Sequence, residues 1–514
     1  MQTRLLFLML VAWGAVQIAH AQILMSQVNS ARTSANLAET ILTPANVNTA
    51  HFGKLFTRRV DGDVFAQPLY VPGLEISGHG KHDVIFVATE HDSVYAFDAV
   101  GEDGKPLWKT SLIAPTKGIS TVPAHAVNCP FIQPELGITP TPVIDLERHA
   151  IYVLARTEES GRYVQRLHAL DLASGQEKFN GPVEIKAEVK GSGSGSSHGN
   201  VVFDPLLENP RAALLLANGK VYLSWASSCD VEPYHGWVMA YDAQKLVQTA
   251  VFNVTPDGAE GGIWQADTGL AADPNGNVFV ATGNGDFDAA SGGRDYGDSL
   301  LKLALDNKGL SVQDYFTPFD QKDLNARDAD LGSQGPVLLP DQPGKHPHLL
   351  VVVGKGGVLY VLDRDHLGRF HEGSDSQIVQ RMPAPQGYGA MAYWNQHVYL
   401  LGVDQTLSDY AVDRGHLSRR MQSAKFAAPA ATPTVSANKN QDGIVWVLET
   451  KAWNEGFQNK QAILHAYDAA NVTHELYNSD QNIARDAAGM AVRFAIPMVA
   501  HGHVYVGART ELDV

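Results

Sequence analysis

VIFVATEHDSVYAFD, residues 84–98, holds two runs of alternating apolar residues around a polar turn and ends on an aspartate. Alternation with a period of two, carried by Val, Ile, Phe and Tyr, is the signature of a half-buried strand. Two such runs joined by a short polar stretch make an antiparallel hairpin. The pattern recurs. IYVLARTEESGRYVQRLHALD (151–171), VYLSWASSCDVEPYHGWVMAYD (221–242) and LLVVVGKGGVLYVLD (349–363) have the same form. Further copies span 278–306, 398–413, 445–468 and 504–513, which makes eight. The intervals between final aspartates, from Asp98 to Asp513, average about 59 residues.

A further apolar segment precedes most hairpins, as at 66–71 and 335–339, and another follows, as at 106–108 and 315–316. Each repeat therefore holds about four strands, and helical periodicity is nearly absent. Four strands repeated eight times predict an all-β fold, an eight-bladed β-propeller of four-stranded blades. The last repeat ends without its outermost strand. FGKLFTRRV (52–60) precedes the first inner strand and is expected to supply it, closing the ring by pairing the N-terminal strand with the last blade. The stretch GSGSGSSHG (191–199) reads as a flexible loop on one face, because repeats continue across it at the same spacing.

The chain has 514 residues, 18% of them charged, with a net charge of −16. That balance argues against a nucleic-acid binder. Arg4, an apolar stretch over residues 5–19 and Ala19-His20-Ala21 fit a cleaved signal peptide, residues 1–21. Residues 22–42 then form an N-terminal extension, and 43–514 a single propeller domain. No later stretch is long and apolar enough for a transmembrane span. The expected location is exported, periplasmic or extracellular. Cys129 and Cys229 are the only two cysteines. In an oxidising compartment the pair is expected to form one disulfide joining adjacent blades.

Three segments, Thr43-Pro44-Ala45-Asn46-Val47, Ala66-Gln67-Pro68-Leu69 and VYAFDAVGEDGKPLW (94–108), resemble the opening of the quinoprotein alcohol dehydrogenases. These are eight-bladed propellers that bind pyrroloquinoline quinone and a calcium ion. The resemblance covers residues 43–514 and implies site residues by position. GGIWQADTGLAADPNGNVFVATGNGD (261–286) is similar to the family's fourth blade, which makes Trp264 the floor under the quinone and Asn284 a calcium ligand. TPFDQKD (317–323) is similar to the segment ending in the catalytic base, which implies that role for Asp323. GKGGVLYVLDRDHLG (354–368) places Lys355 against the quinone oxygens. The calcium-binding glutamate falls near SCDVEPYH (228–235), where Glu232 is one residue out of register and Asp230 is an alternative.

Two departures matter. Lys322 and Phe319 replace the tryptophan and histidine that flank the base, and the family's adjacent cysteines are missing. The sequence carries no haem, zinc or nucleotide motif. Gly297-Asp298-Ser299-Leu300 matches an esterase signature, but the helix–strand alternation of that fold is missing. The favoured reading is a noncatalytic exported propeller that binds a protein, a glycan or a small molecule. The alternative is a quinone- and calcium-dependent dehydrogenase of alcohols or sugars.

Overall fold

The computed structural model describes residues 21–101, 103–266, 268–402, 406–426, 432–450 and 460–514. The signal-peptide reading falls on residues 1–20, outside the described residues, apart from Ala21. Eight antiparallel sheets follow one another around a ring. The first blade is Leu69–Ile76, Gly80–Ala88, Ser93–Asp98 and Pro106–Ser111, in that spatial order. Its central hairpin pairs Val84 with Asp98 and Ala88 with Val94, the two runs that opened the sequence reading. The other seven repeats give the central hairpins of the other seven blades, from Ala150–Glu159 with Arg162–Asp171 to His503–Ala508 with Glu511–Asp513. The chain is an eight-bladed β-propeller, as its repeats imply.

Alternate side chains of each blade pack against the next blade, which buries both faces of every sheet. Residues joining adjacent blades do the same work singly. Trp108, in the last strand of the first blade, donates its indole N–H to the Leu172 carbonyl of the second at 2.9 Å. Gly175 makes room for it, since a Cβ there would stand 2.6 Å from the indole ring.

The ring closes through the N-terminal segment. Thr57–Arg59 adds to the last blade, with Thr57 opposite Asp513 and Arg59 opposite Glu511. Lys54 pairs with Asp513 at 2.6 Å and Arg59 with Glu511 at 2.6 Å, so charge pairing supports the same register.

Residues 23–39, read as an extension, thread through this ring. Ile23 bonds to Tyr70 of the first blade, and the Leu24 carbonyl accepts from Ile144 of the second. Ser30, Ala31, Thr33 and Ser34 then accept from Ala272, Leu338, Tyr393 and Val435 of the fourth to seventh blades. Arg32 is fully buried and donates to the Leu214 and Leu270 carbonyls of the third and fourth. Asn36 donates to Val499 of the eighth. The segment is a strap bonded in turn to all eight blades. Buried inner strands leave backbone groups that must find partners, and the strap supplies them.

Residues 191–199 also differ from the flexible loop expected of them. They cap a short hairpin, Glu188–Lys190 with Asn200–Val202. Gly193 and Ser194 donate their N–H groups to Pro256 and Gly258 at 2.9 and 2.8 Å. Glycine is required where the backbones touch: a Cβ on Gly191 would overlap the Pro256 carbonyl. Composition suggested freedom; the glycines serve close approach instead.

Candidate cofactor site

Successive turns of an antiparallel sheet alternate between its two ends. The turns joining second and third strands, with the connections between blades, therefore share one face of the ring. Trp264 lies on the connection into the fourth blade, Asn284 just after Val278–Ala281, and Lys355 in the turn between Leu349–Val353 and Val358–Asp363. Trp264 and Lys355 line a cavity of about 460 Å³ on this face, together with Asp328, Asp330 and the Cys129–Cys229 disulfide.

Trp264 is held edge-on by Tyr234, with ring centroids 6.2 Å apart. Gly283 fits beneath it, since a Cβ there would stand 2.7 Å from the indole Cδ1. The indole N–H is buried without a hydrogen-bond partner.

Asn284 lies next to the acidic side of the cavity, bonded to its two aspartates. Its backbone N–H donates to Asp330 Oδ1 and its Nδ2 to Asp328 Oδ1, each at 2.8 Å. Its Oδ1 is buried and accepts nothing. Lys355 Nζ bridges the two aspartates, 2.9 Å from Asp328 Oδ1 and 2.5 Å from Asp330 Oδ2. Burial works against its charge, but Asp330 and Asp328 outweigh that and hold the ammonium well above the usual lysine range. Asp230 adds a third carboxyl, raised by burial and by Asp330. Glu260 stands behind it, pushed to about 7 by burial, Glu232, Asp230 and Asp330. One lysine thus sits among several carboxyl groups.

The opposite side of the cavity is basic and aromatic. The Arg493 guanidinium lies 3.7 Å from the centroid of Phe131, and Arg211 lies 5.1 Å from that of Phe494. Burial and the neighbouring Arg211 lower Arg493 to about 10. The disulfide forms part of the wall. It joins the loop before Glu135–Leu136 to the turn after Lys220–Ser227, with Cα atoms 5.6 Å apart.

The structure thus brings Trp264, Asn284 and Lys355 together, with the disulfide beside them. It does not bring Asp323 in. Residues 321–326 form a short helix, Gln321–Ala326, whose outer side carries Asp323. That side chain is 63% exposed and paired with Arg327 at 2.6 Å. The chain turns back into the cavity only at Asp328 and Asp330. Glu232 is likewise outside the wall: it is exposed, with Ser194 Oγ at 3.3 Å. Asp230 lines the cavity in its place, because Cys229 and Asp230 both take left-handed φ, 57° and 53°, in the turn that also positions the disulfide. Ser299 of the esterase-like stretch is fully buried and bonded to Thr317 Oγ1 at 2.7 Å. Sequence reasoning missed Arg211 and Arg493; they lie in different blades, outside any repeated motif.

An acidic pocket edge with an unused amide oxygen suits a hard cation. Among the described residues no three His, Cys, Asp or Glu side chains already form a metal cage. A cation here would take the Asn284 oxygen and donors brought by a second ligand. A flat indole, two arginines and a lysine suit a planar anionic ring system as that ligand. The residues present therefore fit a carboxylated quinone with a cation.

No family model matches the chain, and no curated protein matches it. Solved structures do. Quinohemoprotein alcohol dehydrogenase from Comamonas testosteroni is similar with a TM-score of 0.61 at 16% identity, over 97% of this chain and 81% of that one. A europium-containing methanol dehydrogenase is similar with a TM-score of 0.61 at 14% identity, over 95% and 89%. BamB from Moraxella catarrhalis is similar with a TM-score of 0.50 at 11% identity, over 90% and 98%. At these identities the likeness concerns the fold. The chain has the eight-bladed propeller fold of the quinoprotein alcohol dehydrogenases.

Proposed function

We propose that this protein is an exported oxidoreductase that binds pyrroloquinoline quinone with calcium, or with a more highly charged hard cation, and oxidises alcohols or sugars. The observation that carries the reading is the cavity that Trp264, Asp328, Asp330 and Lys355 line together with Arg211 and Arg493, with the unpartnered Asn284 amide oxygen next to those aspartates. Export is supported by the apolar stretch at residues 5–19 and by the disulfide.

When bound, the quinone and cation supply a hydride acceptor with polarised carbonyls. The chain's own residues do the rest. Trp264 offers a flat apolar face, and Arg211 and Arg493 offer charge to carboxylates. Lys355 Nζ is held as an ammonium by Asp330 and Asp328, ready to donate to a developing oxyanion. The Asn284 Oδ1, unused beside Asp330, is the group placed to hold a cation. Asp328 accepts from both Lys355 and Asn284 on Oδ1, which leaves Oδ2 for a ligand. It is the carboxylate positioned to take the hydroxyl proton of an alcohol as the carbon loses hydride.

The test is titration of the purified protein with pyrroloquinoline quinone in the presence of calcium or lanthanum, followed by tryptophan fluorescence and quinone absorbance. Dye reduction with an alcohol panel comes after. Saturable, cation-dependent binding that Trp264→Ala abolishes is expected. Absence of binding with every cation overturns the reading and leaves a noncatalytic binding propeller of the kind BamB's fold resembles.

A further inference from the structure

The strap begins abruptly. Ile23 exchanges two backbone hydrogen bonds with Tyr70 of the first blade, each of 2.9 Å. Ile23 is 1% exposed, and the next residue, Leu24, packs against the same core as Tyr70 and accepts from Ile144 at 2.8 Å. Gln22, one residue before this anchor, is exposed.

The sequence places a boundary at the same point for a separate reason. Ala19-His20-Ala21 has the small side chains that a signal peptidase reads, and a cut behind Ala21 leaves Gln22 as the first residue. That cut costs the strap none of its bonds to the blades. A cut two residues later would remove both bonds between Ile23 and Tyr70.

A glutamine at a chain start carries its own reaction. The α-amine attacks the side-chain carbonyl carbon, Cδ. A bond forms between N and Cδ, the bond from Cδ to Nε2 breaks, and the amine's proton leaves with that nitrogen as ammonia. No oxidant, reductant or co-reactant is consumed. The five-membered ring holds only the N, Cα, Cβ, Cγ and Cδ of Gln22, so it closes by rotation about χ1 and χ2. The peptide bond to Ile23 lies outside the ring, so both bonds to Tyr70 stay in place while it forms. The exposed side chain is free to make these rotations.

We propose that Gln22 is a modification site: once the chain is cut behind Ala21, its α-amine closes on its own side chain to give an N-terminal pyroglutamate. The ring removes the terminal charge. It also leaves no free amine for an aminopeptidase at the end of a segment that all eight blades bond. The inference rests on the export part of the proposed function and is independent of the quinone.

The experiment expresses the full chain with residues 1–21 and recovers the protein from the periplasm or the medium. Free amines of the folded protein are dimethylated before digestion, so that no ring can form during handling. Mass spectrometry then reads the tryptic peptide 22–32. The expected peptide carries no dimethyl group and is lighter by one ammonia than the unmodified sequence. Gln22→Ala should give a dimethylated peptide with no loss of ammonia, which separates the ring from any loss at Asn29. A peptide 22–32 with its glutamine intact, dimethylated or not, overturns the inference and leaves export standing. Ammonia loss that persists in Gln22→Ala also overturns it. A chain that starts at another residue, or is never cut, overturns both the inference and the export reading.

Discussion

Asp323 and Asp328 show how the meaning of a residue depends on a single turn of helix. Both are aspartates of one acidic segment, and the sequence resemblance selects the first. The helix Gln321–Ala326 turns Asp323 outward to Arg327, while Asp328 meets Lys355 and Asn284. Asp328→Asn is expected to lower turnover by about 10² or more while Asp323→Asn stays near the parent, as dye-linked assays on the quinone-loaded protein will read. Equal losses in both would remove Asp328 from its assigned role. Trp264, Asn284 and Lys355 were legible because each sits within a short segment resembling a known blade. Asp328 was not, because the departing residue Lys322 belongs to a local helix, and Phe319 to the turn before it, that no alignment of short segments reveals.

Glu90 carries a second prediction at this scale. It is 1% exposed, and its Oε2 accepts from the Gly137 N–H at 2.7 Å and from Thr139 at 3.2 Å. Burial pushes its carboxyl to about 7 from an ordinary 4.5. Between those values the folded protein holds a proton that the unfolded chain has released. Stability from this group is therefore full below about pH 4.5 and falls as pH rises through 7, by about 3 kcal/mol in all. Glu90→Gln keeps the accepted hydrogen bonds and cannot ionise. It should be more stable than the parent at pH 8 and nearly equal at pH 4.5, as urea melts at both values will measure. A difference that does not change with pH would refute the assignment.

At the scale of elements, the strap and the closing strand are separable. A chain starting at residue 40 loses every strap bond but keeps Thr57–Arg59 paired to the last blade. A chain starting at residue 61 loses both. Thermal melts are expected to fall in two steps, the longer truncation giving the lower midpoint, because open edge strands and unpaired inner backbone groups each cost stability. Either truncated chain melting where the chain from Gln22 melts would show that its missing element adds nothing. The closing strand was readable, since the last repeat lacked a partner and 52–60 had strand character. The strap was not, since most of its bonds run through its own backbone, and the side chains that add to them, Arg32 and Asn36, follow no periodicity.

Across the whole molecule, the Cys129–Cys229 disulfide closes a loop of 100 residues between the second and third blades. In the chain-entropy treatment such a closure contributes at most about 4.7 kcal/mol. Because the same bond walls the cavity, Cys129→Ser with Cys229→Ser should lower the urea midpoint and weaken quinone binding together. A loss of stability with unchanged binding would make the bond a structural staple only.

What the sequence determined by itself was the local and repeated part: eight hairpins of alternating apolar residues, four strands to a blade, and a ring needing one strand from the other end. The hairpins and blades are set by neighbours within about 59 residues, and the closing strand shows as the one missing from the last repeat, so periodicity and turns suffice to read them. What only the tertiary structure decided was the part assembled across the ring. Arg211, Asn284, Asp328, Lys355 and Arg493 come from segments up to 282 residues apart, and the charge balance that shifts Lys355 and Glu260 exists only once they meet. Electrostatic interaction depends on distance through the folded molecule and on burial, and neither is written in the order of residues along the chain.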